Sequence, residues 1–361
     1  MGGGSLYSLV KFCCECGSVC FSKSLPEQRN PNIILKMLYR KNKHSSRSVT
    51  SAIRMLACGV SVTALSLTVQ AREYEVEIVQ TGLSSPMGIA AQWKSSLYFT
   101  EVPTPGVPGT EGGTNAVKRL NLRNGSITSV SEGEPYPKNV ALDRHGSVYW
   151  TCQTAGVILK YDRRNGKQFV LPAAGLDAAP EEFLMSPSGI SVDRYGDVLF
   201  TEVPMPGEFN ANLVSVTDGE NITIISDFEP APVDIVVSSG GQSYWTCNTA
   251  GVIFQRSAAG VVSLLTDGLE SPMGIAVDVT GRRLFYTEVP TPGVAGDDGG
   301  TNRVMELDLR TMEKSVVADG FPYPADVTVA VDGTVYWTCK AAGVIAKGTP
   351  KKKKRSHYRW W

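Results

Sequence analysis

From Glu73 onwards, apolar residues come in short runs separated by Pro, Gly, Asp and Asn. Short runs rich in β-branched and aromatic residues, bounded by turn residues, are typical of β-strands. The runs form a unit of four strands that occurs six times, and each unit opens with a strand that begins at a proline. The opening strands read PMGIAA, PKNVAL, PSGISV, PVDIVV, PMGIAV and PADVTV.

The second strand of each unit is aromatic and comes in two alternating types. One type ends in Thr-Glu, as in LYFTEVPTPG, and the other in Thr-Cys, as in VYWTCQTAGVI. The successive ends are 51, 50, 45, 41 and 51 residues apart, which is the length of one four-stranded propeller blade. The last unit lacks a fourth strand, and Tyr74–Val79 can supply it. We therefore predict an all-β, six-bladed propeller over 72–349. Two blade types alternate around a pseudo-threefold axis, and an N-terminal strand closes the last blade.

These motifs carry a family resemblance. The YWTC strand resembles the YWTD repeat of lipoprotein-receptor propellers, and P-x-G-I followed by YFTE resembles NHL and streptogramin-lyase repeats. The whole repeat region is similar to the six-bladed group that contains the senescence-marker/gluconolactonase family, paraoxonases and strictosidine synthase. The resemblance implies the fold, but it specifies the chemistry poorly because these relatives do different things.

Oxygen-bearing side chains recur at the channel mouth on alternate blades. Asn139, Asp234 and Asp326 stand two residues after the opening proline of the Thr-Cys units, where the other units have glycine. Such side chains are suitable ligands for Ca²⁺ or another divalent cation. The resemblance to gluconolactonase and paraoxonase propellers also implies a metal near this mouth. In the gluconolactonase pattern, however, the ligand directly follows the proline, where this chain has Lys138 and five other poor ligands. The alternative is that the three side chains bond backbone N–H groups.

The aromatic strands end in two further candidate sets. Glu101, Glu202 and Glu288 are candidates for a ligand or acid/base role, and the alternative is hydrogen bonding between blades. Cys152, Cys247 and Cys339 alternate with them. Because threefold placement separates the cysteines too widely for a disulfide or a shared zinc, we expect them to be buried packing residues. None of the chain's three histidines, His44, His145 and His357, is expected at the mouth, so a histidine base is not expected there.

The two ends of the chain differ from the repeats. An apolar run at 55–69 follows a basic stretch and precedes Val69-Gln70-Ala71, so we interpret 1–71 as a secretory signal cleaved near Ala71. A mitochondrial or plastid transit peptide is the alternative, and a disordered segment is a third reading. The tail at 350–361 is basic and is expected to be disordered, with weak contact to anionic surfaces. Lys and Arg balance Asp and Glu at 35 each, so overall charge implies no nucleic-acid partner.

Two functions remain open from the sequence. The first is a secreted or organellar monomeric propeller that binds a small molecule or a protein at the channel-mouth face. The second is a metal-dependent lactonase or ester hydrolase, in which Asn139, Asp234 and Asp326 hold Ca²⁺ and Glu101, Glu202 or Glu288 assists. Whether the protein is an enzyme stays undecided at this stage.

Overall fold

The computed structural model describes residues 72–103, 114–162, 164–179, 182–203, 212–290 and 301–351. These residues form six antiparallel four-stranded sheets, each with its first strand innermost, as the sequence predicts. The predicted leader and most of the predicted tail lie outside the described residues, so their boundaries remain predictions. Within the described ranges, no helix is long and apolar enough to cross a membrane.

The strands follow one plan in every blade. The innermost strands are β2 (Pro86–Gln92), β6 (Pro137–Leu142), β10 (Pro187–Val192), β14 (Pro232–Val237), β18 (Pro272–Val277) and β22 (Pro324–Val329). The second strands are β3 (Ser96–Glu101), β7 (Val148–Cys152), β11 (Val198–Glu202), β15 (Ser243–Cys247), β19 (Arg283–Glu288) and β23 (Val335–Cys339). The third strands are β4 (Ala116–Asn121), β8 (Val157–Asp162), β12 (Leu213–Thr217), β16 (Val252–Arg256), β20 (Arg303–Asp308) and β24 (Val344–Pro350). The outer strands are β5 (Ile127–Glu132), β9 (Gly166–Leu171), β13 (Ile222–Asp227), β17 (Val262–Thr266), β21 (Lys314–Asp319) and β1 (Tyr74–Gln80).

We number the blades 1 to 6 by their innermost strands β2, β6, β10, β14, β18 and β22. Blades 1, 3 and 5 are the Thr-Glu blades, and blades 2, 4 and 6 are the Thr-Cys blades. Strand β1 pairs antiparallel with β24, from Tyr74 opposite Pro350 to Gln80 opposite Ile345, so the N-terminal strand closes blade 6 as predicted. A short 3-10 helix, Gly175–Asp177, lies in the connection between blades 2 and 3.

The hydrophobic core lies between adjacent blades rather than in one central mass. Trp150, Trp245 and Trp337, one on the second strand of each Thr-Cys blade, are fully buried. Trp337 packs with Phe285 and Val304 of the preceding blade, and the other interfaces repeat this arrangement. The burial of such rings between sheets accounts for much of the stability of the ring of blades. The innermost strands leave a central channel with a volume of about 170 Å³.

Candidate functional site at the channel mouth

The inner strands begin and the second strands end at one face of the ring, which we call the mouth. Pro86 pairs with Glu101, and Pro137 pairs with Cys152, so the opening prolines and the Glu or Cys ends lie side by side. The backbone before each proline is strained in the same way in all six blades, because the preceding residue has a positive φ. These residues are Ser85, Tyr136, Ser186, Ala231, Ser271 and Tyr323. Sixfold repetition indicates that this strain belongs to the architecture.

Asn139, Asp234 and Asp326 do converge at the mouth, as predicted. All three side chains are buried, and the Nδ2 of Asn139 donates to the Oδ1 of Asp234 at 2.7 Å. They border both the central channel and a second space at the mouth that holds about 20 Å³, enough for about one water molecule. The three side chains therefore form a polar partition across the channel, which we call the polar ring.

Backbone N–H groups already occupy the oxygen atoms of the polar ring. Asp234 accepts from Ile235 N at 2.8 Å through Oδ1 and from Ile275 N of blade 5 at 2.8 Å through Oδ2. Asp326 does the same with Val327 N at 2.7 Å and with Ile89 N of blade 1 at 2.8 Å. Each aspartate thus ties its own blade to the next, which is the alternative that the sequence left open.

Glycine on the neighbouring blade is required for this arrangement. A Cβ atom at Gly189 would lie 2.4 Å from Asp234 Cα, and one at Gly274 would lie 2.4 Å from Asp326 Oδ1. Neither distance leaves room for a methyl group. The glycine of each Thr-Glu blade therefore makes room for the Asn or Asp of the next blade, and this explains why the two residue types alternate along the chain.

The two aspartates both belong to the polar ring, and burial controls their charge. Burial raises the pKa of both carboxyl groups, and the negative charge of Asp234 raises the pKa of Asp326 further. Two buried carboxyl groups beside one another do not both ionise easily, so the pair retains a proton to a higher pH than an exposed carboxyl group does. Among the described residues, no three His, Cys, Asp or Glu side chains are grouped so that they could hold a metal ion.

Lys138 lies at the rim of the polar ring and helps to line the small mouth space. Burial and the positive charge of Lys340 lower the pKa of Lys138 to about 8, although Asp234 and Asp326 act in the opposite direction. An ammonium group beside the ring repels a second cation. The oxygens of the polar ring therefore suit backbone N–H groups and a retained proton better than a divalent ion. Calcium at this place stays an untested prediction.

The three glutamates of the Thr-Glu blades point into the connections between blades. Glu101 accepts from Ser84 N at 3.1 Å, Glu202 from Met185 N at 2.7 Å, and Glu288 from Glu270 N at 3.2 Å. Lys118 forms an ion pair with Glu101, and Arg303 forms one with Glu288 at 3.2 Å. Burial raises the pKa of Glu202 and Glu288 despite these partners. These contacts tie each glutamate to its own blade and to the connection that leads into it, and both the interblade alternative and a catalytic role stay untested predictions.

The cysteines share their pockets with glutamates that the sequence did not reveal. Cys152 Sγ lies 3.5 Å from Glu134 Oε2, and Cys247 Sγ lies 3.3 Å from Glu229 Oε2. Glu134 and Glu229 stand three residues before the opening proline, where the Thr-Glu blades have leucine. The carboxylate in this pocket belongs to the second strand in the Thr-Glu blades, and to the connection before the opening proline in blades 2 and 4. Blade 6 has Phe321 at this position, and its ring meets Trp337 edge-on at 5.2 Å.

The three thiols are free and buried in these pockets. Burial raises the pKa of Cys152 and Cys247, and a neighbouring glutamate raises each one further. A thiol with a raised pKa is a poor nucleophile at neutral pH. The cysteines are packing residues, as expected from their threefold repetition.

A ring of threonines is a further feature that the sequence did not reveal. The threonine before each Glu or Cys is fully buried, and its Oγ1 accepts from the N–H two residues after the proline of the same blade. Thr201 accepts from Gly189 N at 2.8 Å and donates to Val233 O of the next blade at 3.3 Å. Thr151 makes the same bridge to Ser188 O at 2.7 Å. The invariant Thr of the repeat therefore links neighbouring blades.

Comparisons with known proteins support the fold alone. No protein-family model matches the sequence, and no curated protein sequence is significantly similar to it. Among solved structures, a putative gluconolactonase is similar at a TM-score of 0.57 and 11% identity, covering 77% of this chain and 92% of that one. Streptogramin B lyase gives 0.51 and 16%, covering 77% and 98%. A protein of unknown function from Bacteroides thetaiotaomicron gives 0.58 and 12%, covering 78% and 77%.

The comparisons bear out the six-bladed propeller fold that the resemblance implies. Identities this low carry over neither the substrate nor the reaction of any of these proteins. Function must therefore be argued from the mouth itself.

Proposed function

We propose that this propeller is a binding module that holds a small ligand at the channel mouth. The polar ring supports this proposal. Of the predicted residue sets, it is the one that borders the channel, and its three side chains narrow the channel to a space of about one water molecule. A partition of this kind gives the mouth a floor on which a ligand can rest without passing through. The candidate acids and thiols further out contact the connection that leads into their own blade.

The alternative proposal is a metal-dependent hydrolase. The convergence of Asn139, Asp234 and Asp326 favours it, because three oxygen-bearing side chains meet at one point. Against it, the oxygens accept backbone N–H bonds and Lys138 stands beside them. His145, the histidine in the described ranges, lies exposed in a turn at the opposite face, where Arg144 donates to it at 3.0 Å. Binding is therefore the function that the mouth supports better. Secretion, or import into an organelle, remains a separate proposal because it depends on the leader.

A screen of small polar and aromatic compounds by ligand-observed NMR on the full chain tests the binding proposal. Met273 lines the mouth, whereas Val279 is exposed in a turn at the far end of the channel. We expect Met273→Trp to remove or weaken binding of the hits at least tenfold and Val279→Trp to leave binding unchanged. Hits that bind both variants equally would place the ligand elsewhere and overturn the proposal.

A further inference from the structure

The mouth is not threefold symmetric, although its architecture is. The residue before the opening proline is Tyr136 in blade 2 and Tyr323 in blade 6, whereas blade 4 has alanine. Two further mouth positions carry lysine in the same two blades. Lys138 follows the opening proline of blade 2, and Lys340 follows the cysteine of blade 6. Blade 4 has valine and asparagine at those two places. Residues with a specific function tend to break the symmetry of a repeat. We therefore expect a specific role for this half of the mouth.

Both tyrosine–lysine pairs flank blade 1. Lys340 N donates to Tyr323 O at 2.9 Å, and its Nζ lies 5.6 Å from the centre of the Tyr323 ring. In blade 4, the residue equivalent to Lys340 is Asn248, and it reaches forward to Pro272 O of the next blade at 3.4 Å. Lys340 holds the equivalent position at the end of β23, the strand that lies against β2 of blade 1. From the other side, Lys138 O accepts from Thr100 of blade 1 at 3.4 Å.

The two ammonium groups carry charge that the described residues do not neutralise. Neither lysine has a carboxylate within ion-pair distance among the ion pairs of the described ranges, in contrast to Lys118 and Lys167. Burial lowers the pKa of both lysines, which is the cost of keeping an ammonium group away from water. The oxygens of Asp234 and Asp326, the acids of the polar ring, already accept backbone N–H groups. The two lysines are therefore left to bind an anion from solution.

We propose that this half of the mouth binds a small monoanion, such as a carboxylate, held by Lys138 and Lys340. Its anionic oxygens accept hydrogen bonds from the two ammonium groups, and its body lies against the rings of Tyr136 and Tyr323. Tyr136 and Tyr323 occupy the same position, directly before the opening proline, in the two blades that flank blade 1. This inference rests on the proposed function and names the ligand class for the same mouth.

Titration of the full chain with benzoate and with benzamide tests the inference by calorimetry or NMR. The two probes share a ring and differ in the charge of the head group. Sister blades supply mild substitutions: Lys138→Ala reproduces Ala325 of blade 6, and Lys340→Gln reproduces Gln153 of blade 2. Lys94→Gln is the control, because Lys94 is exposed at the far end and pairs with Asp332 at 3.2 Å. Thermal melting confirms that each variant is folded.

We expect benzoate to bind at least tenfold more tightly than benzamide, and each mouth substitution to weaken benzoate at least tenfold, the usual loss for one charge-assisted hydrogen bond. Lys94→Gln should change nothing. Equal affinity for the two probes, or benzoate affinity unchanged in both mouth variants, would overturn the monoanion site. If Met273→Trp still abolishes other hits in that case, the proposed function survives and only the ligand class is wrong.

Discussion

At the scale of single residues, the threonine that precedes each Glu or Cys has the most general structural role. Its hydroxyl satisfies an N–H of its own blade and a carbonyl of the next, and both groups are buried. A buried N–H and carbonyl left without partners each cost free energy, so the hydroxyl is worth more than its own two hydrogen bonds. Most of the closure between neighbouring inner strands passes through such side chains rather than through backbone pairing.

Thr201→Val tests this role, because valine keeps the shape and removes the hydroxyl. We expect the free energy of unfolding to fall by about 1–2 kcal/mol, because the buried Gly189 N loses its partner, whereas Val233 O keeps the hydroxyl of Ser188 at 2.8 Å. Thr201→Ser keeps the hydroxyl and should cost less. Urea unfolding of the two variants measures the difference, and equal losses would show that the methyl group, not the hydroxyl, matters.

The aspartate pair gives stability a specific dependence on pH. A carboxyl group whose pKa is raised in the folded state retains its proton where the unfolded chain has released it. Its contribution is therefore complete below the unfolded pKa of about 4 and is lost as pH rises through the folded value. Asn139 and Lys138 are other polar groups beside this pair, and Lys138, whose pKa is lowered to about 8, remains charged below about pH 7.

Asp326→Asn removes one carboxyl group of the pair while keeping an oxygen for backbone N–H groups. We expect the fall in stability between about pH 4.5 and 7 to be smaller in this variant than in the wild type, because Asp326 no longer titrates and only the raised pKa of the buried Asp234 remains. Urea unfolding at a series of pH values in that interval measures the difference, and carboxyl groups outside the pair cancel. Parallel curves for the two proteins would contradict the retained proton.

At the scale of elements, the ring of blades closes through one strand from the start of the described chain. Strand β1 pairs with β24 over its whole length and joins residues about 270 positions apart, as between Glu73 and Lys351. Tyr74 adds a side-chain hydrogen bond to Glu306 of blade 5 at 2.5 Å. Without β1, the outer edge of blade 6 would expose an unpaired strand.

Removal of β1 should therefore be far more damaging than removal of the residues before it. A chain that starts at Thr81 is expected to lose cooperative unfolding or to aggregate, because β24 becomes a free edge. A chain that starts at Arg72 keeps β1 and is the matched comparison. Calorimetric melts of both chains provide the measurement, and similar melts would show that β1 is dispensable for closure.

The sequence predicts the elements better than it predicts their contacts. Six blades, the alternation and the N-terminal closure follow from periodicity, because each strand is specified locally. Glu134 and Thr201 were missed because their partners lie on another element or blade, and a repeat alignment shows only that they recur. The sequence shows that one blade type has leucine, as at Leu83, where the other has Glu134. What this difference means depends on the fold, because in both blade types the connection before the proline reaches the end of the second strand. The sequence places Asn139, Asp234 and Asp326 at the mouth, where the structure also has them. It leaves open whether their oxygens bind a metal ion or backbone N–H groups.

At the scale of the whole molecule, the propeller is a closed ring with a tight polar partition at one end and an asymmetric rim above it. Residues repeated in three or six blades maintain the ring. Residues present in only one or two blades, such as Lys138 and Lys340, distinguish the rim and carry the proposed binding. We infer that backbone N–H groups and a retained proton hold the polar ring, and that the mouth binds its ligand without a metal.

Elemental analysis of the purified full chain, combined with a thermal melt before and after chelation, tests this claim most directly. We predict no stoichiometric calcium or other divalent ion and a melting temperature that chelation leaves unchanged, since every aspartate oxygen of the ring already accepts a backbone N–H. Asp234→Asn serves as a matched variant that should show the same metal content. Stoichiometric calcium in the wild type but not in this variant, with a melting temperature that falls on chelation and recovers on addition of calcium, would contradict the claim and favour the metal-dependent hydrolase.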